Sequence, residues 1–252
     1  MSMLSSEMMT IIAPALVAGL MIAVSHAPLG IEVLRRGIIF IDLAVAQIAG
    51  LGLVASSHFL HEPSAGEAQL LALLAAILAG LFFRQVEKYL PEQQEAIIGV
   101  SFVLAASLAI LLLADHPQAG EKIQHLLSGQ MLFVTWQDVA TQSPIYGLIL
   151  LLWFLRPAWR QGVRFYILFA LAITSSVQLV GVYVVFASLI LPALAAIKAA
   201  RPYAIAWLCG VAAVLSGVFF AIVTDAPAGP IIVVCYALVA LTIRLLRASR
   251  SA

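Results

Sequence analysis

The sequence predicts an all-α membrane protein with about eight or nine transmembrane helices. Hydrophobic residues make up 63% of the 252 residues and charged residues only 10%, whereas soluble domains are about half apolar. The apolar residues lie in runs of about 20, the length that an α-helix needs to cross a bilayer. We therefore expect a polytopic helical bundle, one integral domain over residues 1–252, surrounded by membrane lipid. The net charge of +1 argues against a nucleic-acid partner.

The apolar runs define nine predicted spans, with boundaries that are soft by several residues. Pro28 and Gly30 are expected to interrupt the first span, because proline removes a helical hydrogen bond. A tight turn at 225–230 separates the last two spans. In chain order the spans are residues 11–34, 37–60, 68–83, 96–114, 139–155, 165–177, 179–197, 203–224 and 231–243.

The cations predict how the chain is oriented. All but one of the lysines and arginines fall on the same side of this map, and only Lys122 falls on the other. By the positive-inside rule the rich side is cytoplasmic, which places the N-terminus outside and the C-terminus inside. The first ten residues carry no Lys or Arg, so a cleaved signal peptide is not expected.

The sixth and seventh predicted spans share only about 33 residues, which is short for two crossings. The polar stretch 174–178 lies between them and predicts a break. A non-helical or polar break at membrane depth is tolerated where it lines a cavity or is buried in protein. Ser175, Ser176 and Gln178 are therefore candidates to line a translocation route, with hydrogen bonding between helices as the alternative.

Asp42 is a lone carboxylate inside the second predicted span. An ionised group in hydrocarbon costs about 2.5–3.5 kcal/mol or more, so Asp42 should face protein or a wet cavity. It either lines a route for a cation, together with Gln47, or pairs with Arg35 or Arg36. His26, in the first span, is a candidate second metal ligand beside Asp42, with a packed, hydrogen-bonded histidine as the alternative.

The polar segment 115–138 is predicted to stay outside the membrane. Its stretch 121–128 resembles a short amphipathic helix that ends at Gly129. His116, Glu121 and His125 are candidates to receive a divalent ion at the outer mouth. The alternative is that they are ordinary polar groups of an interfacial helix.

The sequence contains neither a GxxxxGK[ST] loop nor an HExxH motif. No serine–histidine pairing or paired carboxylate lies within the predicted spans. We therefore expect a transport subunit and no enzyme. Any energy would arrive from an ATP-hydrolysing partner or from an ion gradient.

Several blocks, in order along nearly the whole chain, resemble the permeases of bacterial zinc/manganese ABC importers, the ABC-3 family. They are Pro28-Leu29-Gly30, Arg35-Arg36, Phe40-x-Asp42, Leu127-Ser128-Gly129-Gln130, the apolar segment 180–193 and the turn 224–230. The resemblance implies a homodimeric permease, two cytoplasmic ATP-binding subunits and an extracytoplasmic metal-binding protein. It also implies a transported divalent metal, zinc ahead of manganese, with no permanently bound cofactor.

Two departures from the family pattern matter. In its second span the family carries Gly-Asp-x-x-x-His, which places a carboxylate and an imidazole on one helix face. Here Asp42 matches, but Ile41 replaces the glycine and Ala46 replaces the histidine. Either another residue supplies the nitrogen ligand, or this chain handles a different substrate.

The second departure is a short cytoplasmic stretch after the fifth span, residues 156–164, where relatives dock on the ATPase. Arg156, Trp159, Arg160 and Arg164 are candidates for this contact, or else an interfacial anchor of aromatic and cationic side chains. The short stretch and the missing histidine leave two alternatives open. One is a gradient-driven carrier or channel that works without an ATPase, and the other is a membrane scaffold that transports nothing.

Overall fold

A computed structural model describes residues 2–60, 63–114, 127, 129 and 131–249, with side chains from residue 12. Within these residues, eight helices are long and apolar enough to span a membrane. The predicted helical membrane fold is thus confirmed. The helices are α1 (Ser2–Arg36), α2 (Ile41–Phe59), α3 (Ala65–Tyr89), α4 (Gln94–Leu112), α5 (Trp136–Leu155), α6 (Gly162–Ala196), α7 (Pro202–Thr224) and α8 (Ala228–Ala248).

The helix α1 runs unbroken through Pro28 and Gly30, so the predicted interruption is wrong. Proline at position 28 leaves the carbonyl of Val24, four residues earlier, without its helical donor. The indole Nε1–H of Trp207 on α7 donates to this carbonyl at 2.9 Å. A neighbouring helix therefore supplies the hydrogen bond that the proline removes, and the helix continues.

The sixth and seventh predicted spans form one helix, α6, of 35 residues. The predicted break at 174–178 is wrong, because these residues are helical. The hydroxyl of Ser176 is compatible with the helix because Ser176 Oγ donates to the Ala172 carbonyl at 2.7 Å. The actual break is at Gly181, whose φ of 77° is one that L side chains rarely adopt.

The helix α6 turns back on itself at Gly181. His26 on α1 lies 2.9 Å from Ser176 Oγ and 2.8 Å from Ser188 Oγ, one contact on each side of the break. In a straight helix these serines would be separated by about 18 Å along the axis. One imidazole cannot reach both across that distance. We call residues 162–180 the first arm of α6 and residues 182–196 its second arm.

The helix α6 forms the centre of the bundle, and α1, α2, α3, α7 and α8 all pack against it. Most of its residues in both arms are buried. A continuous hydrophobic core includes residues from all eight helices, for example Ile22 of α1, Ile98 of α4 and Ile232 of α8. Both α1 and α2 pack against α6, and they do not pack along each other.

Candidate functional site

Asp42 lies in the first turn of α2 and is 1% exposed. The backbone N–H groups of Asp42 and Leu43 lie near its carboxylate, but neither oxygen has a partner with hydrogen-bond geometry among the described residues. The positive end of the helix dipole favours a negative charge at this position by only about 0.3–2 kcal/mol. Most of the cost of burying the carboxylate therefore stays uncompensated.

The neighbouring arginines do not neutralise Asp42. Arg35 pairs with Glu32 at 2.6 Å, and Arg36 pairs with Glu32 at 2.8 Å and with Glu87 at 3.2 Å. The alternative in which Asp42 serves as a structural partner of these arginines is therefore wrong. Within the described part of the chain, the Asp42 carboxylate has no hydrogen-bond or ion-pair partner.

One face of α2 leads from Asp42 to a large cavity. Residues 42, 46, 49, 50 and 53 share this face by helical periodicity. Ala46 and Ala49, both buried, carry only methyl side chains there. The cavity has a volume of about 610 Å³ and begins two turns beyond Asp42. Its lining consists of Ala49, Gly50, Leu53, Val54, Ser56, Ser57, Pro63, Ala68, Ala72, Leu113, Gly129, Thr174, Val177 and Gln178.

The first arm of α6 provides the polar wall of this cavity. Gln178, a predicted route residue, is exposed into it, and Thr174 lines it as well. Thr174 Oγ1 is buried and has no hydrogen-bond partner among the described atoms. Sequence reasoning missed Thr174 as a separate candidate, although it lay in the polar stretch already singled out.

Gln47 lies on a different face of α2 from Asp42. It lines a second cavity of about 650 Å³, bounded by α4, the second arm of α6 and α8. Most of that lining is apolar, including Phe102 and Phe186. Asp42 and Gln47 are therefore not brought together, and the proposed role of Gln47 beside Asp42 stays a prediction.

Ser175, Ser176 and His26 belong to a buried polar network that lines neither cavity. Ser175 Oγ donates to Gln142 Oε1 on α5, and Ser176 Oγ lies 2.8 Å from Tyr146 Oη on the same helix. These contacts agree with the alternative interpretation, in which the serines form hydrogen bonds between helices and do not line the route. Gln142 and Tyr146 were missed in the sequence, although two polar groups four residues apart in an apolar span are a usable signal.

Ser176 takes part in three hydrogen bonds of this network, one of them with His26. Its single proton goes to the carbonyl of Ala172, which can only accept. Ser176 Oγ must therefore accept from Tyr146 Oη–H and from His26 Nε2–H. The other ring nitrogen, Nδ1, lies 2.8 Å from Ser188 Oγ, which also donates to the Val185 carbonyl at 2.9 Å. Both ring nitrogens of His26 are thus engaged in hydrogen bonds in this conformation.

His26 is not placed to bind a metal with Asp42. Both of its ring nitrogens are engaged, and α1 does not pack along α2. No group of three or more His, Cys, Asp or Glu side chains with metal-binding geometry occurs among the described residues. His26 as a ligand stays a prediction that requires the network to open, and a link between the two arms of α6 explains its contacts better.

We expect His26→Leu to lower the stability of the protein and to leave its apparent affinity for the transported metal unchanged. The change removes two interhelical hydrogen bonds, each worth about 0.6–1.7 kcal/mol in a membrane. Ser188→Ala, which removes one of them, should show a smaller loss of the same sign. Thermal unfolding in detergent and the KM for metal uptake check this. A KM raised tenfold in His26→Leu, with normal stability, would restore the ligand role.

The predicted outer-mouth residues His116, Glu121 and His125 lie outside the described residues. Their proposed role in receiving an ion stays a prediction.

The predicted ATPase contact forms a short 3₁₀ helix, Pro157–Arg160, between α5 and α6. Arg156 and Arg164 flank it with exposed side chains. Trp159 packs against the hydrophobic core, and Arg160 Nε donates to the Trp153 carbonyl at 2.8 Å. The two outer arginines are therefore free to meet a partner, whereas the two inner residues hold the turn in place.

Comparison with known proteins agrees with this architecture. The chain of the structure described as "PsaBC from Streptococcus pneumoniae in complex with Fab" matches with a TM-score of 0.72 and 21% identity, covering 92% of this chain and 90% of that one. A structure described as an inward-facing conformation of a metal-chelate type ABC transporter matches with a TM-score of 0.66 and 15% identity, covering 92% and 83%. At these identities the two matches establish the fold.

Sequence comparison identifies the family. The manganese transport system membrane protein MntC of Halalkalibacterium halodurans is 23% identical over 242 residues, which cover 87% of this chain and 81% of that protein. The model of the ABC 3 transport family matches residues 8–161 and 160–247, nearly the whole length. The chain therefore belongs to the ABC 3 transport family.

Proposed function

We propose that this protein is the membrane permease subunit of an ATP-driven importer for a divalent transition-metal ion. The family is a transport family, and the relative from Halalkalibacterium halodurans is named for manganese transport. The observation that carries the proposal is Asp42, a buried carboxylate with no described partner, on the helix face that leads to the cavity of about 610 Å³.

The ligand chemistry favours manganese over zinc, the reverse of the order expected from the sequence. Carboxylate, carbonyl and water oxygens suit Mn²⁺, whereas imidazole nitrogen suits Zn²⁺. Ala46 stands where the family carries its histidine, and both nitrogens of His26 are already hydrogen-bonded. Asp42 therefore offers oxygen ligands without a neighbouring imidazole from the described residues.

The proposed assembly follows the family. Two copies of the chain form a homodimer, with ATP-binding subunits at the end that carries Arg36 and the Pro157–Arg160 turn. By the positive-inside rule this end is cytoplasmic. An extracytoplasmic binding protein delivers the ion to the opposite end, with the N-terminus outside and the C-terminus inside the bacterial inner membrane. The cavity of about 610 Å³ then forms the outer part of the route.

Passage of the ion requires the helices around Asp42 to move. Asp42 is 1% exposed, and Ala46, which lies between it and the cavity on this face, is buried as well. ATP-driven closure of the partner subunits supplies this movement and opens the face of α2 to the ion. ATP hydrolysis takes place on the partner subunits.

Uptake by the assembled complex tests the proposal. The chain is produced together with its ATPase partner and reconstituted into liposomes containing ATP, with radioactive manganese and the purified binding protein outside. We expect uptake that depends on ATP and that unlabelled manganese suppresses at lower concentration than zinc does. Uptake that follows an imposed ion gradient and ignores ATP would support the gradient-driven carrier, which no structural observation favours.

A further inference from the structure

The side chain of Arg36, at the end of α1, contacts four separate elements of the structure. Its Nε donates to Glu32 Oε1 at 2.8 Å within α1, and its Nη1 donates to Glu87 Oε1 of α3 at 3.2 Å. Its Nη2 donates to the carbonyl of Arg160 in the 3₁₀ turn at 2.8 Å. Its guanidinium carbon lies 4.2 Å from the ring centroid of Phe165, at the start of α6.

The adjacent Arg35 has none of these long-range hydrogen bonds. Its side chain is 70% exposed and pairs with Glu32, three residues earlier on the same helix. The Arg36 side chain is only 14% exposed. Exposed pairs contribute about 0–1 kcal/mol, whereas half-buried networks with fixed geometry contribute more. The two arginines thus have equal charge and very different structural connections.

On one side, Arg36 holds the surface proposed to meet the ATPase. The Pro157–Arg160 turn is anchored by the bond from Arg36 to the Arg160 carbonyl and by the bond from Arg160 to the Trp153 carbonyl. A partner that pushes on this turn therefore moves the atom to which Arg36 is bonded.

On the other side, Arg36 is connected to Asp42 by a short and fixed piece of chain. Gly37, with φ 72°, ends α1, and the N–H of Ile39 donates to Glu95 Oε1 of α4 at 2.9 Å. The helix α2 then starts at Ile41, so Asp42 follows Arg36 by six residues. The N–H of Gly37 donates to the Leu34 carbonyl at one end of this turn, and the N–H of Ile41 donates to the Ile38 carbonyl at the other. A displacement of Arg36 therefore reaches the first turn of α2.

We propose that Arg36 is the positioning residue that couples movement of the Pro157–Arg160 turn to the first turn of α2, and so to the access of the ion to Asp42. The inference rests on the proposed function. A planar guanidinium holds three acceptors in fixed directions and stacks on Phe165 at once. The compact ammonium group of lysine keeps the charge but cannot reproduce this geometry.

The number of ions transported per ATP hydrolysed by the reconstituted complex tests this coupling. We expect Arg36→Lys to lower this ratio about tenfold, the factor that corresponds to one charge-assisted hydrogen bond. A residue that only stabilised the fold would lower uptake and ATP hydrolysis together and leave the ratio unchanged. Arg35→Lys is the matched control and should keep the wild-type ratio.

An unchanged ratio in Arg36→Lys overturns the inference while the proposed function stands. Where Arg36→Lys does not assemble, Glu87→Ala takes its place, because it removes only one of the three acceptors of Arg36. It should lower the ratio less, and an unchanged ratio there also overturns the inference. If the wild-type complex shows no ATP-dependent uptake, the proposed function fails and this inference fails with it.

Discussion

Replacing Asp42 by asparagine is expected to lower ATP-dependent manganese uptake by about 10- to 100-fold, because the ion loses a charged ligand worth about 1.5–3 kcal/mol. The same change should leave the stability of the protein unchanged or raise it. A buried carboxylate without a partner is costly, and the neutral amide of similar shape removes that cost. Uptake in liposomes and thermal unfolding of the same preparations measure both effects.

Asp138→Asn is the matched control for this experiment. Asp138 is also a carboxylate in the first turn of a membrane-spanning helix, but it is exposed and caps α5 together with Thr135. Asparagine can still accept hydrogen bonds there, so uptake and stability should both stay near the wild-type values. If Asp42→Asn transports manganese as well as Asp138→Asn does, the role assigned to Asp42 is wrong.

Replacing Gly30 by alanine is expected to destabilise the protein by about 1–3 kcal/mol or more. A Cβ at position 30 would lie 1.9 Å from the carbonyl oxygen of Leu189, so α1 and the second arm of α6 must move apart. Leu189 follows Ser188, which is hydrogen-bonded to His26, so the shift also strains the buried network. The unfolding temperature of the purified protein in detergent measures the effect.

Gly99→Ala is the control for this substitution. Gly99 is also inside a membrane-spanning helix, α4, but a Cβ there meets no atom within 4 Å. Alanine is favoured over glycine within helices by about 0.5–1 kcal/mol, so this change should be neutral or stabilising. Equal unfolding temperatures for the two variants would mean that the close packing of α1 on the second arm of α6 is not required for stability.

Composition and periodicity were sufficient to predict the helical membrane fold, because apolar runs of about 20 residues have few other stable arrangements. They were insufficient for α6. A polar stretch at 174–178 and a glycine at position 181 are both plausible breaks in sequence. The serine hydroxyls bond within the helix and to other helices, so the polar stretch stays helical and the glycine provides the bend.

The candidate site was predictable only in part. The carboxylate of Asp42 was found because a buried charge is costly wherever it lies. Its neighbours were not found, because the packing of the helices depends on tertiary contacts. The spacing of the predicted spans along the sequence carries no information about these contacts. The sequence suggested that His26 and Asp42 lie in adjacent spans, whereas their helices each pack against α6, which contacts His26 through Ser176 and Ser188.

The central claim is that the face of α2 that carries Asp42 lines the route of the ion. Labelling of Ala46→Cys by a water-soluble thiol reagent tests it, with Cys209 and Cys235 replaced by alanine. Position 46 is one turn from Asp42 on that face, and Ala44→Cys, equally buried on another face, is the control. We predict that the complex turning over ATP is labelled at position 46 and not at position 44. We also predict that manganese protects position 46 only while Asp42 is present. Absence of labelling at position 46 in every state, or protection that persists in Asp42→Asn, would contradict the claim.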